Sequence, residues 1–201
     1  MLCDDPTTEF YEVHADEFCD STAKINMERL YEPFLKLLAQ GAHILDAGCG
    51  SGRDTKAFRS RGFRVTAIDC SPRVIRFARQ FTGQKCQLLR FQDISFHRKF
   101  DGIWACASLL HVPKIELPNV IARLDDALKP GGVIYMSLKE GRGERIADDG
   151  RFFSYHTATS IRRLLAKFPN LFELSIWTTE DVRGEERRPA WLNVIIRKRK
   201  G

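Results

Sequence analysis

The stretch His43-Ile44-Leu45-Asp46-Ala47-Gly48-Cys49-Gly50-Ser51-Gly52-Arg53-Asp54 decides how the rest of the chain is read. His43–Ala47 is a short apolar strand, and a helix runs from about Arg53 to Ser60, where Gly62 ends it. Ligands in open α/β sheets bind beyond the carboxyl ends of the strands, at the switch point. Glycines there let the backbone turn tightly and approach a ligand. A dinucleotide would want G-x-G-x-x-G, with its pyrophosphate at the helix N-terminus. Counted from Gly48 the third position is Arg53, and counted from Gly50 it is Thr55. Both registers fail. The spacing is G-x-G-x-G, led by Asp46, and an acid there repels a pyrophosphate and suits a cationic ligand.

Two further acids keep time with the strands. Asp69 ends the second strand, Val65–Ile68, 17 residues after Gly52, where a carboxylate accepts from both hydroxyls of a ribose. Asp93 follows the third strand, Cys86–Phe91, where an acid can take an adenine amino group. S-adenosylmethionine (SAM) carries an ammonium and a sulfonium, and it fits this order of acids.

The other elements extend the rhythm. Phe10, Val13 and Phe18 mark an N-terminal amphipathic helix, and Leu30, Phe34, Leu37 and Leu38 a second one over about Met27–Ala39, with Pro33 inside it. Ser71-Pro72 starts a helix that reaches about Phe81. Gly102–Cys106 is the fourth strand, residues 116–128 a helix, Lys129-Pro130-Gly131-Gly132 a breaker, and Val133–Leu138 the fifth strand. Residues 139–153, with three glycines and several charges, read as a long mobile loop. A helix from about Ala158 to Lys167 and two strands, Phe172–Thr179 and Trp191–Arg197, close the chain, the last pair antiparallel. The expected fold is α/β: a doubly wound, Rossmann-like sheet of seven strands, mostly parallel with the last antiparallel, and helices on both faces. The chain divides into an N-terminal helical cap (1–42), a SAM-binding core (43–139), a lid-like loop (140–156) and a C-terminal helix and strand pair (157–201).

The 201 residues suit one such domain, and 43% hydrophobic with 29% charged residues is ordinary for a globular protein. No apolar run approaches membrane-spanning length. The start, MLCDDPTTEFYEVHADEF, is acidic where a signal peptide is basic and then apolar, so a cytoplasmic protein is expected. The six cysteines form no C-x-x-C pair, and no metal site is expected. Of the net charge of +6, residues 183–201 carry +5, seven Arg/Lys against two Glu. The basicity is thus terminal, which argues against a broad nucleic-acid surface.

HILDAGCGSGRD, VTAIDCSP, LRFQDISF, FDGIWACASLLHV and LKPGGVIYMSLK resemble the successive motifs of class I SAM-dependent methyltransferases. More narrowly, from YEVHADEF to WLNVIIRK, the chain resembles small bacterial methyltransferases of the tellurite-resistance type. The resemblance implies that Gly48, Cys49, Gly50 and Gly52 shape the loop around the methionine part of SAM, with Asp46 holding its amino end. It implies Asp69 on the ribose, Asp93 on the adenine amino group, Cys70, Gln92 and Ile94 flanking the adenine, and Ala105 and Cys106 under the methionyl chain. The N-terminal helix would close over the cofactor with Tyr11 and Thr22 as contacts. His111, just past the fourth strand, is the first candidate general base, followed by Tyr155 and His156 behind the lid-like loop. The expected partner is a small-molecule methyl acceptor. Alternative readings are an RNA or protein methyltransferase and a non-catalytic SAM-binding module. The fourth strand ends ACASLL, without the motifs of amino-directed or cytosine-C5 DNA methyltransferases, which makes Cys106 a poor nucleophile.

Overall fold

The computed structural model of the chain describes residues 5–180 and 190–200; Cys3, Arg183, Arg187 and Arg188 lie outside them. Three short helices come first: α1 (Pro6–Val13), α2 (Ala15–Thr22) and α3 (Glu28–Leu35). Asp5 caps α1 by accepting from the Thr7 and Thr8 N–H groups. The single N-terminal helix expected from Phe10, Val13 and Phe18 is broken at His14. The next helix ends at Leu35 rather than Ala39, two residues after Pro33, whose missing N–H weakens the ladder there.

The βα units follow: β1 (His43–Ala47), α4 (Arg53–Ser60), β2 (Arg64–Asp69), α5 (Pro72–Thr82), β3 (Cys86–Leu88), β4 (Phe100–Cys106), α6 (Leu117–Ala127) and β5 (Leu128–Glu140). Ser71 caps α5 through Val74 N–H, and Gly83, at φ 65°, ends it in the left-handed region. β3 stops at Leu88 because Phe91–Asp93 winds into a 3-10 turn. Lys129–Gly132 does not break β5; the strand runs through it, with a register shift between Phe100 and Gly102 on the neighbouring strand.

Beyond β5 the chain makes β6 (Glu144–Ile146), β7 (Phe152–His156), α7 (Ala158–Leu165), β8 (Leu171–Thr179) and β9 (Trp191–Lys198). The pairings run β3-β2-β1-β4-β5-β9-β8, with β9 antiparallel to both neighbours, which supplies the seven strands expected. The segment read as a mobile loop is instead an antiparallel hairpin, β6 with β7. It joins the sheet where Lys139 and Glu140 outrun β4 and pair in parallel with Tyr155 and His156. The hairpin therefore stands at the carboxyl end of β4.

Alternation along the strands sorts the core into two faces. Leu45, Ile103, Ile134 and Met136 pack with Val120, Ile121 and Leu124 of α6 and Ile161 of α7. Ile44, Trp104, Val133 and Tyr135 pack with Tyr31 and Phe34 of α3 and Phe58 of α4. Both faces of the central strands are covered, as a parallel sheet requires. The last basic residues serve this packing: Lys198 Nζ donates to the Asp125 and Leu128 carbonyls, and Arg199 to that of Pro169. Among the described residues no helix is long and apolar enough to cross a membrane.

Candidate cofactor and acceptor site

The turn from β1 to α4 is closed by Gly48 and Cys49, whose N–H groups both donate to the Ile68 carbonyl at 2.9 Å. Gly48 and Gly52 sit at φ 82° and 81°, the left-handed region. A Cβ on Gly48 would lie 2.4 Å from the Ser108 Cβ, and one on Gly52 2.5 Å from Thr82 Cγ2. The loop therefore lies flat between the turn after β4 and α5, which only glycine permits. Gly50 faces the other way, under the Phe18 ring of α2.

Asp69 completes this surface. Its two carboxylate oxygens accept from Gly50 N–H (3.0 Å) and Ser71 N–H (3.1 Å). No basic side chain bonds to it among the described residues. Burial pushes its pKa up and the backbone N–H groups oppose that rise. A carboxylate so held keeps lone pairs for ligand hydroxyls. A loop shaped by glycines next to an acid with no cation clamp suits a ribose and disfavours a pyrophosphate, so the donor set fits SAM.

Asp46, expected at a ligand's amino end, bonds within the protein. It is 1% exposed and accepts a 2.5 Å hydrogen bond from Thr55 Oγ1. Burial and the nearby Asp54 carboxylate hold its pKa well above the usual range, which favours the neutral acid. The charge behind the loop belongs to Asp54, which accepts from Arg53 (2.6 and 2.9 Å), Tyr31 Oη (2.5 Å) and Trp104 Nε1 (2.8 Å). This buried network was missed in the sequence; its signal was the Arg-Asp pair directly after Gly52.

The cap is closed over the loop. Thr22 Oγ1 lies 3.2 Å from Ser51 Oγ, and Phe152 N–H donates to Thr7 Oγ1 (2.9 Å). Glu12 accepts from Ser71 Oγ and from Arg73 N–H at the start of α5. Tyr11, expected on the cofactor, instead meets His111: its Oη is 3.0 Å from Nε2. His111 Nδ1 lies 2.7 Å from the Phe152 carbonyl, and burial drives its pKa down to about 4. Ala107, four residues before it, holds φ 52°, a strained conformation for a residue with a Cβ.

The remaining expected residues are spread more widely. Cys70 Sγ lies 3.7 Å from Thr8 Oγ1, under the cap. Gln92 donates to Glu116, and Asp93 is clamped by Arg90 at 2.6 and 3.0 Å on the surface. Ile94 is 1% exposed within the core. Ala105 is fully buried; Cys106 bonds with Ser137, and burial pushes its thiol up to about 12, so it stays protonated. His156 is buried on β7 against Ser154 Oγ (2.9 Å), with its pKa driven down to about 4 by burial and Lys114. The Tyr155 ring covers Gly141, with Arg145 5.8 Å from its centroid. Neither joins the Tyr11–His111 pair.

Residues 44–132 match the methyltransferase-domain family. Over these residues, from β1 into β5, the chain is similar to a methyltransferase domain. Over 108 residues it is 35% identical to a malonyl-[acyl-carrier protein] O-methyltransferase of Erwinia pyrifoliae, covering 49% of this chain and 38% of that one. Over 120 residues it is 29% identical to a ubiquinone biosynthesis O-methyltransferase of Xanthomonas campestris pv. campestris, covering 56% and 49%. The matched part of the methyltransferase domain thus spans less than half the length of these relatives. The fold is that of a Burkholderia thailandensis 1,6-didemethyltoxoflavin-N1-methyltransferase solved with 1,6-didemethyltoxoflavin and S-adenosylhomocysteine. That likeness has a TM-score of 0.76, at 23% identity, over 96% of this chain and 85% of that one.

Proposed function

We propose that the chain is a SAM-dependent methyltransferase acting on a small-molecule acceptor. The observation that carries this is the Gly48–Gly52 loop lying at the switch point, with Asp69 bonded to its Gly50 and, among the described residues, to no basic side chain. Asp69 takes the ribose hydroxyls, and the loop cradles the methionyl part. SAM, when bound, supplies a methyl group already activated on a sulfonium. The protein then has to place the acceptor in line and keep water out. The closed cap and the β6–β7 hairpin do the second. His111, oriented by the Phe152 carbonyl, is the general base. Asp93 reaches the adenine amino group with the lone pairs Arg90 leaves. The ubiquinone biosynthesis O-methyltransferase among the relatives, and the small ligand of the structural neighbour, support an acceptor of that size. The narrower kinship with the tellurite-resistance type rests on YEVHADEF and WLNVIIRK and names no substrate. A SAM-consumption screen over metabolite pools, with mass detection of a methylated product, tests the activity. SAM binding without any methylated product would leave only a SAM-binding module.

A further inference from the structure

The Tyr11–His111 contact does more than close the cap, and its role rests on the proposed methyltransferase activity. A carbonyl only accepts, so the 2.7 Å contact with Phe152 puts the ring proton on Nδ1 and leaves a lone pair on Nε2. The Tyr11 phenol, 3.0 Å from Nε2, therefore donates to it. The positive charge of the Arg151 guanidinium acts on the same phenol. Arg151 is held in turn by Asp149 (2.5 and 3.0 Å) and lies over the Phe10 and Phe153 rings, 4.3 and 5.3 Å from their centroids. A phenol oxygen has one proton and two lone pairs. The proton goes to His111, and among the described residues no hydrogen bond is donated to the lone pairs.

We propose that Tyr11 is the first acceptor of a proton relay to His111, and that the methyl acceptor is a neutral hydroxyl that donates into an open lone pair of Tyr11. As the hydroxyl oxygen forms its bond to the methyl carbon, the sulfur–carbon bond breaks and sulfur keeps the pair. The hydroxyl proton passes to Tyr11 Oη, and the proton of Tyr11 passes to His111 Nε2. The products are a methyl ether, S-adenosylhomocysteine and an imidazolium that later loses its proton to water. An oxygen that has begun to bond a methyl is strongly acidic, so the weak base that buried His111 provides is sufficient. The groups facing His111 are Tyr11 and Asp5 from α1 and its cap, and Arg151, Asp149 and the Phe152 carbonyl from the hairpin segment. Arg151 disfavours the imidazolium, while the two acids and the carbonyl favour it. The relay draws on α1, the turn after β4 and the hairpin, so it exists only when the cap is closed.

Wild type and Tyr11→Phe are compared in the S-adenosylhomocysteine complex by imidazole nitrogen NMR. Wild-type His111 should show the Nδ1–H tautomer, and Tyr11→Phe should raise its pKa by about one unit, because a donor to the neutral ring is lost. Catechol serves as the hydroxyl probe and thiophenol as a probe that ionises without help, each with SAM and mass detection of product. In Tyr11→Phe, catechol methylation should fall at least about 30-fold, thiophenol methylation less than about threefold, and SAM affinity by calorimetry less than about threefold. An unmoved imidazole, equal loss on both probes, wild-type product from thiophenol alone or from neither probe, or lost SAM affinity in Tyr11→Phe overturns the relay. Wild type that fails to bind SAM overturns the methyltransferase reading itself, which is a separate outcome.

Discussion

Gly48 shows what a single residue contributes. At φ 82° with Ser108 2.4 Å from where its Cβ would stand, Gly48→Ala has to strain the backbone and push the turn after β4. The cost should be about 2–3 kcal/mol, read as a lower midpoint in urea unfolding; an unchanged midpoint would mean the loop does not lie flat. His156 makes a residue-scale prediction of the opposite kind. Its folded-state pKa of about 4 lies below the ordinary 6.5, so the unfolded chain binds the extra proton. Stability from this group is complete above about pH 6.5 and is lost as pH falls toward 4. A group 4% exposed with that shift contributes at most about 3 kcal/mol. His156→Asn should therefore lose less stability than wild type between pH 6.5 and 4.5 in urea titrations. Parallel curves would contradict the buried neutral imidazole.

At the scale of elements, local signals told most of the story. Ser71-Pro72, Gly62 and the alternation in Ile44/Leu45 and Ile103/Trp104 act within a few residues, so the elements they define were legible. The hairpin was not. Glu144–Ile146 and Phe152–His156 are short; the first is exposed throughout, and the residues that alternate into the interior in the second, Ser154 and His156, are polar. They form strands because β5 outruns β4, a fact about distant residues. The site divides in the same way. Gly48, Gly50, Gly52 and Asp69 were legible from spacing, whereas Tyr11 meeting His111, 100 residues away, was not. Nor was the raised pKa of Asp46, which comes from its burial and then from Asp54 beside it. The cap and hairpin are joined through Thr7–Phe152 and Tyr11–His111. Hydrogen exchange should therefore slow together in residues 6–22 and 144–156 when S-adenosylhomocysteine is added, by at least about tenfold. Protection confined to residues 46–54 would show that the cap takes no part.

For the whole molecule, the order β3-β2-β1-β4-β5-β9-β8 puts the carboxyl ends of β1 and β4 side by side, with β2 on the outer flank of β1. The glycine loop hangs from β1, Asp69 from β2 and Ala107–His111 from β4, while α1 adds Tyr11, β7 the Phe152 carbonyl and the turn after β3 Asp93. The terminal basic residues Lys198 and Arg199 bond to α6 and to the turn before β8. Calorimetric titration of the whole chain with SAM, wild type against Asp69→Ala, is the most direct test of the central claim. The account predicts a single site in the wild type and an affinity lower by at least about 30-fold in the variant, the loss of two hydrogen bonds to a charged group. Equal affinity in the two proteins, or no binding by the wild type, would contradict it.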